Sequence, residues 1–313
     1  MINIGIIGTG IIGLEHINAI ENSDNCRLSA VCDINEASAK EFSEKYNVPY
    51  FTDYHKMPGN VEMDAVIINL PHFLHCESTV FFLENGYHVL IEKPMANTVS
   101  ECDMMLEASK KSGKKLAVGH VQRFFEANRC VRDIIASGRL GKLCMFSENR
   151  TIDYFLPSRP RWFLDKEKAG GGIVMNYGAH ALDKLFYQLG CQDVDVASVT
   201  GNLKNSETIE GHAQFLLKFK DGFSATVTFS GYNPSGYDAR YYFTNGTLKV
   251  ENTFELYEFI NDGWQRIDTV VNTTVAMQSQ LEEFIKYING EPADIADGEY
   301  GKAVIKVIEK IYA

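Results

Sequence analysis

The stretch Ile2-Asn3-Ile4-Gly5-Ile6-Ile7-Gly8-Thr9-Gly10-Ile11-Ile12-Gly13 determines the fold of the first part of this chain. Its first six residues are a mainly apolar run that predicts a β-strand, and a helical pattern begins at Ile11. Between them lies a G-x-G-x-x-G turn, and Asp33 ends the next predicted strand 20 residues after Gly13. A glycine-rich turn from strand to helix, followed by an acid at this spacing, indicates a Rossmann fold that binds a dinucleotide.

The turn and the acid are the first candidate cofactor-binding residues: Gly8, Thr9, Gly10, Ile11, Ile12, Gly13 and Asp33. Glycine permits the tight turn and lets a pyrophosphate approach the free N–H groups at the start of the helix. We expect Asp33 to accept hydrogen bonds from the adenosine ribose hydroxyls and to repel a 2′-phosphate. Because Ile34 and Asn35 supply no cation, the sequence predicts NAD as the cofactor in preference to NADP.

Over residues 1–120, short apolar runs alternate with helical patterns, which predicts an N-terminal domain with a doubly wound parallel sheet. The predicted strands are Ile2 to Ile7, Leu28 to Cys32, a weak one near Tyr50, Ala65 to Ile68, Val89 to Ile91 and Leu116 to Val118. The predicted helices cover residues 11–22, 35–46, 74–85 and 100–112, and Ser100 is the expected cap of the last helix.

Residues 121–313 form the second predicted domain, which we expect to be α+β with a mainly antiparallel sheet. A helical pattern at 124–137 precedes six candidate strands: Leu143 to Arg150, Val194 to Leu203, Glu210 to Phe219, Phe223 to Phe229, Arg240 to Thr244 and Thr247 to Glu251. Asp221-Gly222 and Asn245-Gly246 indicate tight hairpins. Two further helical patterns cover Gln278 to Ile288 and Tyr300 to Ile311.

The composition of the 313 residues is that of a folded globular chain, with 45% hydrophobic and 23% charged residues. A formal net charge of −11 makes nucleic acid and anionic membrane surfaces poor partners. No apolar run approaches the about 18 residues that span a bilayer. Seven scattered cysteines without a CxxC pair indicate reduced thiols, so a cytoplasmic protein is expected, and no metal site is predicted.

Ligands of doubly wound sheets bind beyond the carboxyl ends of the strands. Asn69-Leu70-Pro71-His72 follows one predicted strand, and Glu92-Lys93-Pro94 ends the next. Lys93 could hydrogen-bond a substrate oxygen as a cation or titrate with a lowered pKa, although a solvated lysine that caps a strand is an equally good interpretation. We interpret His72 and His75 as residues that pack on the cofactor side or begin a helix.

A third constellation runs from Gly170 to Asp183 and starts with three glycines. On an α-helix with about 100° per residue, one stripe is apolar and predicts the core face: Met175, Ala179, Leu182, Phe186 and Leu189. A second stripe is polar: Asn176, His180, Asp183 and Tyr187. A polar stripe beside a core stripe is typical of a site wall, but a solvated face with a chance histidine explains the pattern equally well.

Together these motifs resemble, in order, the glucose-fructose oxidoreductase / inositol dehydrogenase / rhizopine catabolism family (Gfo/Idh/MocA). The resemblance rests on Gly8 to Gly13 with His16, Asn69 to His72 with His75, Glu92-Lys93-Pro94, Gly119 to Phe124, Arg161-Trp162 and Gly170 to Asp183. It implies an N-terminal Rossmann domain and a C-terminal α/β domain whose large open sheet forms a homo-oligomer, a dimer or tetramer. It also implies NAD(P)-dependent oxidation or reduction of a sugar, polyol or related carbonyl substrate.

The resemblance implies roles for residues as well. It makes Lys93 a substrate contact and His180 the acid/base, while Asn176 stands where the family most often has Asp. On the cofactor side it places Asn69, Leu70, Pro71, His72, His75, Glu92 and Lys93. The candidate substrate-binding residues are Lys93, Arg123, Tyr154, Arg161, Trp162, Asn176, Tyr177 and His180.

Two other functions stay open at this point. Some relatives with this scaffold cleave glycosides with a tightly held NAD that is regenerated in each cycle. Others are non-catalytic regulators that sense the cofactor, and the presence of Lys93 and His180 argues against that role here.

Overall fold

The computed structural model describes residues 1–190, 194–203, 207–220, 222–270 and 272–313. These residues form two compact units. The first unit contains Met1–Val121 and Thr273–Lys302, and the second contains Gln122–Asn272 and Ala303–Ala313. The sequence division at residue 120 assigned 273–302 to the second domain, whereas this segment packs within the first unit.

Strands and helices alternate through residues 1–121, as the rhythm of apolar runs predicted. They are β1 (Ile2–Ile7), α1 (Ile11–Glu21), β2 (Cys26–Cys32), α2 (Glu36–Tyr46), β3 (Tyr50–Phe51), β4 (Ala65–Ile68), α3 (His75–Glu84), β5 (His88–Glu92), α4 (Val99–Ser112) and β6 (Leu116–Gly119). The strands are parallel and lie in the order β6-β5-β4-β1-β2-β3. The order reverses direction at β1, where the glycine turn begins, and this is the switch point at which such sheets bind ligands.

The cap of α4 differs from the expected one. Thr98, and not Ser100, precedes the helix, and its hydroxyl accepts the N–H of Glu101. The Glu101 carboxylate in turn accepts the N–H of Thr98 at 3.1 Å. This reciprocal capping box satisfies two backbone donors at once, the N–H groups of Glu101 and Thr98.

The second unit is built on an eight-stranded, mainly antiparallel sheet. Its elements up to residue 270 are α5 (Glu126–Ser137), β7 (Leu143–Asp153), α6 (Lys166–Ala169), α7 (Ala179–Leu189), β8 (Val194–Gly201), β9 (His212–Phe219), β10 (Ser224–Ser230), β11 (Tyr232–Phe243), β12 (Gly246–Glu251), β13 (Glu255–Ile260) and β14 (Gly263–Ile267). The strand order is β14-β13-β12-β11-β7-β10-β9-β8, and β7 and β10 are the parallel pair. Side chains of β9 alternate between buried and exposed, so one face is covered and the other is open.

The hairpin predicted at Asn245-Gly246 joins β11 to β12, with Phe243 paired to Gly246. Asp221 of the other predicted hairpin lies outside the described residues. β11 is much longer than predicted, and the sequence analysis missed β13 and β14. β14 is the edge strand and β13 lies beside it. The exposed residues of β13 are the apolar Phe259 and Ile260, so apolar residues do not alternate regularly with polar ones there.

The last elements are α8 (Thr273–Ile288), β15 (Ala296–Asp297) and α9 (Gly298–Tyr312). Apolar residues of α8, among them Met277 and Phe284, belong to a buried cluster with Ile4 of β1 and Ile17 of α1. β15 adds an antiparallel edge to β6. This burial of apolar area explains why α8 packs with the first unit, because it removes the helix's hydrophobic face from water.

Candidate active site

The turn between β1 and α1 requires its glycines. Gly8 has a φ of +91°, a conformation that residues with a side chain rarely adopt. A Cβ on Gly13 would lie 2.1 Å from the Gly8 carbonyl oxygen, so only glycine lets the helix approach the strand this closely. A Cβ on Gly10 would meet open space instead. The start of α1 is therefore accessible, as binding of a pyrophosphate requires.

Asp33 is held against this turn. Its Oδ2 accepts the Thr9 N–H at 2.8 Å and the Thr9 hydroxyl at 2.9 Å, while Oδ1 accepts the Asn35 N–H at 2.9 Å. These bonds fill three of the about four acceptor sites of a carboxylate. Capacity remains for a ribose hydroxyl, so the residues present fit the adenosine end of NAD.

The first turn of α1 also fits a bound cofactor. Ile11 is 84% exposed and Ile12 is 46% exposed, although both are large apolar residues. Their backbone N–H groups belong to the first turn, which has no intrahelical acceptors. A dinucleotide at this end of the helix would cover the apolar side chains and accept from the N–H groups.

His75 joins the segments that follow β4 and β5. One ring nitrogen lies 2.8 Å from the Leu70 carbonyl oxygen and the other 2.8 Å from the Pro94 carbonyl oxygen. Burial lowers the pKa of His75, against the effect of these two carbonyls. His72 is buried nearby, with its ring 5.6 Å from that of His75. Both histidines pack as expected, with His75 at the first position of α3, and their contact with a cofactor stays a prediction.

Asn69, the other polar residue after β4, is bonded to the glycine turn. Its N–H donates to the Ile7 carbonyl at 2.7 Å, and its side-chain amide donates to the Gly8 carbonyl at 3.4 Å. Leu70 and Pro71 follow it, half-buried. Asn69 thus connects the end of β4 to the turn that approaches the pyrophosphate.

Glu92 and Lys93 lie at the end of β5, beside the buried His16 of α1. The ring Nε2 of His16 lies 3.0 Å from Oε1 of Glu92, whose Oε2 accepts the Lys93 N–H at 3.2 Å. Burial disfavours the Glu92 carboxylate, but the hydrogen bond with His16 and the charges of His16 and Lys93 hold its pKa below the usual range. A Cβ on Gly119 would lie 2.8 Å from this carboxylate. Lys93 is thus next to an ionised carboxylate that is fixed on both oxygens.

In the second unit, Gly171 and Gly172 allow close packing ahead of α7. A Cβ on Gly171 would lie 2.1 Å from the Tyr312 hydroxyl oxygen, and one on Gly172 would lie 2.1 Å from the Glu210 carbonyl oxygen. The Glu210 carboxylate accepts the N–H groups of Gly172 and Val174 at 2.8 and 2.9 Å. A residue larger than glycine at either position would therefore collide with Tyr312 or with the backbone of Glu210.

The segment that follows is not the straight α-helix of the sequence analysis. Val174–Gly178 is a π-helical turn that leads into α7, so rotation by about 100° per residue does not hold across it. The predicted core stripe is buried at Met175, Ala179, Leu182 and Phe186. The alternative of a solvated polar face is wrong, because Asp183 of the polar stripe is fully buried. Its carboxylate forms an ion pair with Arg123, and this partner compensates for the water that the buried charge has lost.

Asn176 and His180 are both nearly buried, at 7% and 9% exposure. The Tyr177 ring lies 6.5 Å from the His180 ring and 6.2 Å from the Tyr154 ring. Burial raises the pKa of the Tyr154 hydroxyl, an effect that the charge of Arg159 and the Asn176 side chain oppose. Four of the predicted site residues, Tyr154, Asn176, Tyr177 and His180, are thus brought together.

The other predicted substrate residues of this unit lie in different surroundings. Arg123 pairs with Asp183, and its guanidinium lies 5.2 Å from the Tyr187 ring. Arg161 is largely exposed, pairs with Glu207 at 3.4 Å and lines a cavity of about 850 Å³ together with Trp162. A second cavity lies beside Tyr177, and among the described residues the two cavities share no lining residue. The roles of Arg123, Arg161 and Trp162 in substrate binding stay predictions.

Comparison with known proteins gives the family. Residues 2–120 match the oxidoreductase family with an NAD-binding Rossmann fold, GFO/IDH/MocA, and residues 128–249 match the GFO/IDH/MocA C-terminal domain. The chain belongs to the Gfo/Idh/MocA family. The predicted fold class, an α/β chain with a Rossmann sheet and a second, mainly antiparallel sheet, is confirmed, as is the expectation of an oxidoreductase of this family.

Among curated relatives, 1-carboxy-3-chloro-3,4-dihydroxycyclohexa-1,5-diene dehydrogenase of Comamonas testosteroni is 30% identical, over 73% of this chain and 58% of that enzyme. D-glucoside 3-dehydrogenase of Escherichia coli K12 is 26% identical over 99% of this chain and 94% of that enzyme. Aldose-aldose oxidoreductase from Caulobacter crescentus, solved in complex with glycerol, has the same fold, with a TM-score of 0.89 and 24% identity over 99% and 96% of the two chains.

Sequence reasoning missed a cavity in the second unit of this Gfo/Idh/MocA chain. Arg150 of β7 and Tyr237 of β11 line the cavity beside Tyr177, and neither was a candidate. A signal was present, because Phe146, Glu148 and Arg150 alternate along one strand and therefore share a face. Two charged residues on the same face as a buried phenylalanine predict a buried ionic cluster.

None of the helices in the described ranges combines the length and the apolar character that crossing a bilayer requires.

Proposed function

We propose that this protein is an NAD-dependent dehydrogenase or reductase that acts on a secondary alcohol or carbonyl group of a sugar, polyol or related molecule. One observation carries the proposal: His180 is nine-tenths buried on a helix of the second unit, against Tyr177. Histidine is the side chain that exchanges a proton most readily near neutral pH. The name of the relative that spans nearly the whole chain, D-glucoside 3-dehydrogenase, supports a sugar-like substrate.

In the proposed reaction, bound NAD supplies the acceptor or donor of the hydride. His180 takes the hydroxyl proton during oxidation and returns it during reduction. Lys93 donates a hydrogen bond to the substrate oxygen and stabilises its developing negative charge. Asn176 can hydrogen-bond a substrate oxygen without adding charge. Tyr154 and Tyr177 exclude water from the proton transfer.

The preference for NAD over NADP is part of this proposal. Asp33 already accepts three hydrogen bonds, which keep its carboxylate in place at the turn. A 2′-phosphate there would meet a fixed negative charge, and no cation stands at position 34 or 35.

We further propose a cytoplasmic homo-oligomer that forms through the open face of the second sheet. Met145, Val199 and Leu216 project from that face and are 52%, 69% and 43% exposed. A second copy of the chain would remove these apolar side chains from water. Light scattering coupled to size-exclusion chromatography measures the mass, and a monomer at micromolar concentration would contradict this part.

The experiment that tests the function is a screen of sugars, inositols and sugar acids with NAD, followed by NADH absorbance. We expect at least one class to be oxidised, and His180→Ala to abolish the activity. Two observations together would contradict the proposal: NAD that copurifies with the protein without net formation of NADH, and cleavage of glycosides. Cofactor binding without turnover on any substrate would also contradict it.

A further inference from the structure

Charged and aromatic side chains form a cluster on the helix-covered side of the second sheet. Glu148 and Arg150 are two residues apart on β7, so both point to the side on which α7 packs. Lys184 of α7 donates hydrogen bonds to the Glu148 carboxylate and to the Tyr237 hydroxyl. Tyr237 is the register partner of Arg150 on the neighbouring strand β11. We call Glu148, Arg150, Lys184 and Tyr237 the β7 cluster.

Arg150 is buried in this cluster with one of its guanidinium N–H groups left without an acceptor among the described residues. Its side chain is 10% exposed, and its Cζ lies 4.7 Å from the Tyr237 ring centroid and 5.2 Å from that of Tyr177. In the described part of the chain, its Nε has no hydrogen-bond partner, since Glu148 Oε1 lies 3.7 Å away. The two rings hold the planar guanidinium in place.

The charges of the β7 cluster do not balance. Arg150 and Lys184 contribute two positive charges, and Glu148 contributes one negative charge. Asp238, the next residue along β11, is paired with Arg240 at 3.1 Å. Glu148 pairs with both cations, so the cluster holds one positive charge in excess, and an excess of buried charge is unfavourable.

A cavity of about 320 Å³ opens beside Arg150 within the second unit. Neutral polar groups of Thr151, Ser235 and Asn252 line it together with the Tyr177 ring. Among its described lining residues, none is acidic and Arg150 alone is charged. The volume lies in the range of cavities that hold small molecules.

We propose that this cavity binds the carboxylate of an acidic sugar-like substrate and that Arg150 selects this group. The proposal rests on the proposed function, since it names the class of substrate. A carboxylate supplies the one missing charge, and its two oxygens match the planar fork of a guanidinium. A phosphate monoester carries about 1.5 to 2 negative charges at pH 7, which is more than the cluster lacks.

The position of the cavity agrees with a substrate site. Tyr177 lies against Arg150 on the one hand and against His180 on the other, with centroid distances of 5.2 and 6.5 Å. Tyr177 is therefore a neighbour of both the cavity's arginine and the proposed base. Recognition of a charged group by a buried arginine discriminates strongly, because the neutral analogue leaves the cation unpaired.

Matched substrate pairs test this assignment. A hexose and its uronate differ only in whether one carbon is an alcohol or a carboxylate, and the measured quantity is the ratio of their kcat/KM values. We expect the uronate of at least one pair to be preferred, and Arg150→Met to lower that ratio about 100-fold. Arg266→Met removes an exposed arginine of β14 in the same unit and should leave the ratio unchanged.

Arg150→Lys keeps the charge but not the fork, and we expect its ratio to fall by about tenfold. This variant also decides the matter if circular dichroism shows that Arg150→Met does not fold. An unchanged ratio in both folded variants would overturn the assignment of Arg150.

Calorimetric titration of the uronates into the NAD-loaded protein separates this proposal from the proposed function. Uronate binding that Arg150→Met abolishes, without turnover of any substrate, would support the anion site and reject the dehydrogenase. Turnover of hexoses with no uronate binding to the wild-type protein would reject the anion site and support the dehydrogenase. An Arg150-dependent preference for hexose 6-phosphates would overturn the choice of a carboxylate.

Discussion

The hydroxyl of Tyr312 in α9 donates to Oε1 of Glu210 at 2.8 Å and accepts the N–H of Met175 at 3.1 Å. Burial, followed by the charge of Glu210, raises the pKa of this hydroxyl well above its usual range, so it stays a donor. The same carboxylate accepts the N–H groups of Gly172 and Val174. One tyrosine and one carboxylate thus hold the turn that leads to Asn176 and His180.

Tyr312→Phe is expected to lower the free energy of unfolding by about 1 to 3 kcal/mol, because it removes a buried hydrogen bond to a charged acceptor. We also expect kcat to fall about tenfold, since the segment before His180 loses one of its supports. The affinity for NAD should not change. Urea unfolding, steady-state kinetics and calorimetry measure the three quantities.

The control is Tyr257→Phe in β13, where the ring lies 4.7 Å from the Lys249 ammonium and a phenylalanine ring can replace it. If Tyr312→Phe unfolded at the same urea concentration as this control and kept full kcat, Tyr312 would not position the turn.

Asp33→Asn tests the cofactor preference with little change in shape. The amide oxygen can still accept from Thr9, but the negative charge is gone. We expect NAD to bind about tenfold more weakly and NADP to bind no more weakly than to the wild-type protein, because repulsion of the 2′-phosphate is removed. Calorimetric titration of both cofactors measures this. Wild-type protein that binds NADP as tightly as NAD would contradict the prediction.

Lys93→Met removes the cation next to Glu92 and replaces the aliphatic part of the lysine side chain with an unbranched apolar one. We expect turnover to fall by about two orders of magnitude, the effect of a lost electrostatic contact to a developing alkoxide. NAD affinity should stay within about twofold of the wild-type value, because the proposed contact is with the substrate. Lys56→Met, at an exposed lysine of the same unit, is the matched control and should turn over normally. Near-normal turnover of Lys93→Met would remove Lys93 from the mechanism.

The lowered pKa of His88 makes the stability of the protein depend on pH. Burial, followed by the charge of Lys114, lowers the pKa of His88 from 6.5 to about 4, and its Nδ1 accepts the Lys115 N–H at 3.0 Å. The unfolded chain therefore binds a proton at higher pH than the folded chain does, so stability falls as the pH falls from 6.5 to about 4. His88→Asn keeps an acceptor but does not titrate, and it should flatten this slope in urea unfolding. Equal slopes for both proteins would contradict the assignment.

The first unit was largely predictable because its signals are local. β1 and β4 have the predicted bounds, and Asp33 meets the glycine turn as its spacing indicates. The place of α8 was not predictable, since it depends on which distant apolar surface buries Phe284. Periodicity shows that a helix has an apolar face, but not which surface covers it.

The site of the second unit depends more on long-range pairing. The register of β7 with β11 sets Tyr237 opposite Arg150, and no local pattern encodes that pairing. The π-helical turn Val174–Gly178 also has no sequence signature, because it adds a single residue to a helical turn. The sequence therefore predicted His180 and its neighbour Tyr177, but not that Tyr177 also contacts Arg150.

A negative charge at position 176 is expected to change the pH dependence of the reaction. Asn176 lies in the π-helical turn and precedes His180 by four residues. Burial raises the pKa of the Tyr154 hydroxyl, and the Asn176 side chain opposes this effect. A carboxylate at this place would stand near the proposed base, and a negative charge beside an imidazole favours the protonated ring. Asn176→Asp conserves volume, so the fold and the binding of NAD by the first unit should not change.

A base must be deprotonated before it can take the hydroxyl proton, so oxidation by Asn176→Asp should require a higher pH than in the wild-type protein. We expect the acidic limb of the kcat/KM profile to move upwards by roughly one unit. The control is Asn149→Asp, which adds the same charge at an exposed position of β7 and should leave the limb in place. An acidic limb that moves in neither variant would mean that Asn176 is remote from the base or that His180 is not the base. A limb that moves equally in both would mean that net charge, and not the neighbour of His180, controls it.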